Sequence, residues 1–171
     1  MRLKFFYFIL LYLYEMISIA LTAGRSLGLQ SASKAIYRKF LSLHTLPFED
    51  CGSHYDLLYV SVSSCSTIPC PMSRGSTVTV KVIFDDNEED VAFLKHKVRW
   101  IFNAVKTDAA ITPESCDDND NCLIDESNGK SYIAEVFVNN TLPNIRGTMT
   151  WMAVNQNNLE VICFKIPVVI M

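Results

Sequence analysis

The sequence predicts an all-β fold: an Ig-like β-sandwich of about seven antiparallel strands in two sheets. Three observations carry this. Several segments alternate apolar and polar residues with period two, the mark of a half-buried strand. Clusters of Ser, Pro, Gly and Asn separate them at short intervals. Six cysteines sit behind a secretory leader, and an even count in that setting suggests a disulfide framework whose connectivity the count leaves open. Half of the 171 residues are hydrophobic, enough for the core of one domain.

The chain starts with Arg2 and Lys4, then the apolar run FFYFILLYLY, then Ala20, Thr22, Ala23 and Gly24. This reads as a signal peptide over residues 1–24, cleaved near Ala23 or Gly24. The rival is an uncleaved anchor, since residues 5–23 could span a bilayer. Glu15 opposes it, at roughly 2.5–3.5 kcal/mol for a carboxylate near the membrane centre. Residues 25–46 form a basic leader or linker carrying Arg25, Lys34, Arg38 and Lys39 and no acid. Ile36, Phe40 and Leu43 recur there at helical spacing. A short tail helix or a removable segment is expected, with a membrane-lying amphipathic helix as the sharper alternative.

Residues 47–171 make the globular part. It holds 9 Lys and Arg against 17 Asp and Glu, and such an acidic surface excludes nucleic acid, whose phosphates need a basic face. Leu58, Val60 and Val62 alternate with polar positions, as do Val78, Val80, Val82 and Phe84. Between them SSCSTIPCPMSRGS must turn, with Cys65 and Cys70 suited to closing it. DDNEED (85–90) is expected to be a solvated hairpin loop. In the next run Leu94, His96, Val98, Trp100 and Phe102 share one parity, and Lys95, Lys97, Arg99 and Ile101 the other. That basic outer face is an ordinary exposed surface or a contact for anionic lipid headgroups.

Cys116 and Cys122 bracket an acidic loop. Its DDNDN core lacks the turn Gly and terminal Glu of a calcium loop, and no Cys pair has zinc spacing, so no metal is expected. SYIAEVFV (131–138), IRGTMTWMAV (145–154) and LEVICFKIPVV (159–169) supply the remaining strands, with Pro167 placed where a lost N–H costs least. Asn139-Asn140-Thr141 is an N-glycosylation sequon at Asn139. His44, His54 and His96 are scattered and no catalytic motif occurs, so the chain reads as no enzyme. His96 reads as a satisfied core histidine.

One stretch carries more than periodicity. Phe48-x-Asp50-Cys51-Gly52-Ser53, the Cys65–Cys70 pair before Arg74-Gly75, the five-spaced Cys116 and Cys122, and Leu142-Pro143, Trp151, Cys163 and Ile166-Pro167 follow in order. This pattern, from Phe48 to Val168, resembles the lipid-recognition (ML) family, and within it the small lysosomal cholesterol carriers of Niemann–Pick type C disease. The resemblance implies disulfides Cys51–Cys163, Cys65–Cys70 and Cys116–Cys122. It also implies a sterol or other apolar lipid held between slightly splayed sheets, where it replaces part of the core, with no cofactor beyond the lipid. Each buried methylene then contributes about 0.8 kcal/mol.

By matched positions, Val138 and Leu142 would line the mouth of that pocket, with Val80, Val82, Tyr132 and Trp151 deeper. Lys95, Lys97, Arg99 and Trp100 would form the membrane-docking stretch. Two departures alter the mouth. VKTDAAITPES stands in place of the carriers' Pro-rich, Phe-containing segment, with Asp108 where an aromatic falls, and Leu142 replaces another aromatic. The resemblance therefore implies a secreted or lysosomal monomer that binds a lipid, touches anionic membranes transiently and delivers to a membrane receptor or transporter. The alternative is a lipid-recognition subunit of an innate immune or chemosensory receptor complex.

Overall fold

The computed structural model describes residues 32–87, 89, 91–117, 122–126 and 129–171. The signal peptide, its anchor alternative and the DDNDN core at 117–121, apart from Asp117, lie outside them. The chain divides into two units, Met1–Phe40 and Leu41–Met171. In the first, the described residues 32–40 are helical. The helix, α1, runs to residue 44, and Ile36, Phe40 and Leu43 at its predicted spacing are exposed. Among the described residues no helix is long and apolar enough to cross a membrane.

The second unit is a sandwich of two sheets. In chain order its strands are β1 (Glu49–Asp50), β2 (Asp56–Val62), β3 (Cys70–Met72), β4 (Thr77–Asp85), β5 (Phe93–Phe102) and β6 (Val105–Asp108). They continue as β7 (Ala110–Thr112), β8 (Ser115–Asp117), β9 (Leu123–Glu126), β10 (Gly129–Phe137), β11 (Arg146–Asn155) and β12 (Glu160–Ile170). One sheet runs β1-β12-β11-β5-β6, with β3 on β12 and β8 on β5. The other runs β2-β4-β10-β7, with β9 on β10. All pairings are antiparallel except β3 on β12.

Among the described residues twelve strands stand where about seven were expected. The long ones follow the alternation: Val78, Val80, Val82 and Phe84 of β4, and Leu94, His96, Val98, Trp100 and Phe102 of β5, are all buried. The added strands are two to four residues long, too short for a period to show. Leu58 is a correction. The register of β2 slips between Leu57 and Tyr59, so a bulge inserts Leu58 and moves Leu57 onto the core. Residues 85–90 are not a hairpin either, because β4 and β5 belong to different sheets. Pro167 falls between the β1 and β3 pairings along that side of β12, where no strand needs its missing N–H.

The three disulfides are Cys51–Cys163, Cys65–Cys70 and Cys116–Cys122. The first joins the end of β1 to β12. The other two lie on connections between the sheets, β2 to β3 and β8 to β9. The layers meet through a run of rings. Tyr55 stacks on Phe84 (centroids 5.5 Å) and Phe84 meets Tyr132 (6.2 Å). Tyr132 then crosses to His96 (4.6 Å) and Trp151 (5.9 Å) on the opposite sheet, and Trp151 stacks on Phe164 (5.9 Å). Gly129, at φ +126°, lies so close to Phe84 O that a Cβ would collide with it. Only glycine fits both constraints.

Candidate functional site

The expected pocket residues come together between the sheets. Val80, Val82, Tyr132, Val138 and Trp151 are fully buried, and Leu142 nearly so. Tyr132 sits opposite Val82 across the β10–β4 pair. Trp151 lies between Val98 and Phe164 across its own neighbours. Val138 is held by two backbone hydrogen bonds, Gly75 N–H to its carbonyl (2.7 Å) and its own N–H to Ser76 O (2.9 Å). Around these residues the layers meet side chain to side chain, rather than standing apart as the resemblance implied.

Two hollows lie where residues 105–117 cross between the sheets. β6 pairs with β5 over Arg99–Phe102, and β8 pairs with it over Phe93–Lys95. In between, β7 leaves β5 and joins β10 over Glu135–Phe137. His96 N–H still donates to Glu114 O and Ala109 N–H to Val98 O, both at 2.8 Å, so the edge of the sandwich parts only between these two bonds. On one side of the crossing segment opens a groove of about 540 Å³, with His96 and Val98 on one wall and Ala109, Ala110 and Ile111 on the other. On the other side is a cavity of about 60 Å³ under Leu142, lined by Trp100, Ala110 and Phe137 among others. The smaller hollow is lined by Leu142 of the expected mouth but not by Val138. Asp108, Ala109 and Ala110 line both hollows and divide them.

The groove was not legible in the sequence. TDAAITPES shows no alternation, because each of its three strands is short and they serve different sheets. Its rim carries ion pairs: Lys95 Nζ lies 3.5 Å from Glu114 Oε1, Lys97 Nζ 3.7 Å from Asp108 Oδ2, and Arg99 Nε donates to Asp108 Oδ1 at 3.0 Å. The Arg99 hydrogen bond, with Lys97 nearby, holds the Asp108 carboxyl below the usual range. The basic outer face of β5 is thus matched by carboxylates of the crossing segment. Trp100 faces inward, 1% exposed, so the exposed part of the predicted docking stretch consists of the cations alone. Asn139 is exposed beside the smaller cavity, its side-chain oxygen accepting from the N–H (2.9 Å) and hydroxyl (3.0 Å) of Thr141.

The histidine expectation needs correction. His96 is buried, 3% exposed, but neither ring nitrogen has a hydrogen-bond partner. Desolvation pushes its pKa down to about 4, so the ring is neutral at ordinary pH. Beside it, Tyr132 Oη and Trp151 Nε1 are also buried without a partner of good hydrogen-bond geometry. Burial holds the Tyr132 phenol well above 10, and the nearby indole N–H works weakly the other way. Polar groups in a core are nearly always paired, and each exception calls for a cause.

The fold is that of a Niemann-Pick type C2 protein from Japanese carpenter ant. The two superpose with a TM-score of 0.60 at 24% identity, covering 74% of this chain and 100% of that one. The chain is 31% identical over 124 residues to NPC intracellular cholesterol transporter 2 of Bos taurus, covering 71% of this chain and 82% of the relative. Against the protein of the same name in Canis lupus familiaris it is 32% identical over 124 residues, with the same coverage. A family model described as ML domain matches residues 45–170, nearly all of the sandwich with its three bridges, so the chain belongs to the ML domain family.

Proposed function

We propose that this chain is a non-enzymatic carrier that binds a sterol or related apolar lipid between its sheets and transfers it to a membrane. The observation that carries the reading is the parted edge at β7. Beside it lies a cavity of about 60 Å³ lined by Leu142, Trp100, Ala110 and Phe137, next to one of the two expected mouth residues. Membership of the ML domain family and the name shared by its mammalian relatives, an intracellular cholesterol transporter, support the same reading.

Binding there is a matter of area and fit. An apolar guest gains about 25 cal/mol for each Å² removed from water, and in the smaller cavity Trp100, Ala110, Phe137 and Leu142 offer apolar surface beside the charged Asp108. The cations Lys95, Lys97 and Arg99 would meet lipid phosphates by exchanging carboxylate partners for them. A glycan on Asn139 would stand at the rim of the smaller cavity. The working site is outside the cell or in the lysosome, reached through cleavage of residues 1–24. Mass spectrometry of lipid extracted from secreted, purified protein tests the carrier reading. A near-stoichiometric sterol or other apolar lipid is expected, and protein that emerges without lipid and takes none up from vesicles overturns it.

A further inference from the structure

We infer that α1 is a membrane-docking helix, whose strip Ile36, Phe40 and Leu43, with Lys39 beside it, lies in the interface of an anionic lipid surface. The inference goes beyond the carrier reading and does not rest on it. The three side chains are 70%, 56% and 73% exposed. They recur at i, i+4 and i+7, so on a helix they form one continuous apolar strip. Residues 32–44 contain no Pro or Gly, and Ala, Lys, Arg and Leu among them are good helix formers. Single apolar side chains on a surface are ordinary, but a row along one helical strip is what an interfacial helix presents.

The strip is not the side by which the helix is fixed. Leu41, two residues before Leu43 and therefore on the opposite side of the helix, is only 5% exposed. Just beyond the helix, Val60 N–H donates to Thr45 Oγ1 (2.9 Å) and Leu46 N–H donates to Val60 O (2.9 Å), which ties the chain to the edge of β2. Rolling Leu43 inward would turn Leu41 out to water and pull on both bonds. Charge then selects the occupant. Residues 25–46 carry Arg25, Lys34, Arg38 and Lys39 and no acid, whereas residues 47–171 carry 9 Lys and Arg against 17 Asp and Glu. Lys39 is exposed and stands one turn before Leu43 on the same side. A second copy would bring like charges together. Anionic headgroups attract the cations while the acyl boundary beneath them takes up the strip.

Binding of the purified secreted protein to vesicles tests this, with phosphatidylcholine–phosphatidylserine vesicles set against phosphatidylcholine alone. The protein should partition onto the anionic vesicles. The triple variant Ile36→Gln, Phe40→Gln, Leu43→Gln keeps good helix formers at exposed positions and should lose at least about tenfold of that partition. Amide hydrogen exchange gives a readout on the unmodified protein: residues 32–44 should gain protection on the anionic vesicles. Equal partition by the variant, protection gained at β5 and not at α1, or a secreted protein that begins beyond residue 44 overturns the docking helix. So does a dimer in lipid-free solution that the triple variant disperses, which would assign the strip to a second copy. The variant should carry the same lipid as the unmodified protein, so this inference and the carrier reading fail separately.

Discussion

His96 is the residue at which sequence and structure part most usefully. Alternation along β5 assigns its ring to the core, and the structure places it there. What no pattern conveys is that the surrounding residues offer it no hydrogen-bond partner. The consequence is a pH dependence of stability. An ordinary histidine titrates near 6.5, and burial lowers His96 to about 4. Between those values the unfolded chain binds a proton that the folded chain does not. Stability is therefore full above about pH 6.5, falls as pH drops toward 4, and levels off below. The gap corresponds to about 3 kcal/mol. Its ring neighbours Tyr132 and Trp151 are neutral, so no charge there offsets the loss. Asp50, Glu89 and Asp108, all held below their ordinary values, add a further loss only at more acid pH. Urea unfolding at a series of pH values should show the decline, and His96→Phe should flatten it between 6.5 and 4. An unchanged slope in the variant would assign the decline elsewhere.

At the scale of elements, β5 and the crossing segment Val105–Asp117 decide the character of the site. β5 is long and strictly alternating, so its two faces were readable: Trp100 and Val98 inward, Lys95 and Lys97 outward. The crossing segment was not readable, because three short strands serve two sheets in turn. Only their positions in space bring Asp108 and Glu114 to the β5 cations. Exposed ion pairs of this kind contribute little to stability, typically below about 1 kcal/mol each. Replacing Lys95, Lys97 and Arg99 together by Glu should therefore leave the fold intact. It should slow lipid transfer to anionic vesicles severalfold at low salt, with little change toward neutral ones. Equal rates toward both vesicle types would remove the docking role of this face.

At the scale of the molecule, the bridges hold a sandwich that must open to accept a guest. Cys51–Cys163 closes a loop spanning 112 residues, and in the chain-entropy model such a closure is worth about 4–5 kcal/mol. The double variant Cys51→Ser, Cys163→Ser should lose most of that in denaturant unfolding. A loss below about 1 kcal/mol would mean that the β1–β12 pairing already pins the N-terminal end. The other two bridges tie sheet to sheet at connections.

The sequence alone determined the sandwich and the inward faces of its long strands, while the three cysteine pairings came from the family resemblance. The first two follow from local periodicity and short-range spacing, which a linear text displays. Tertiary structure alone decided the division of residues 105–117 between two sheets, the groove this leaves beside β5, and the burial of the His96 ring nitrogens without a partner. Those properties depend on which residues from distant parts of the chain become neighbours. The unmet hydrogen bonds of His96 arise only once β5, β10 and β11 have been brought together.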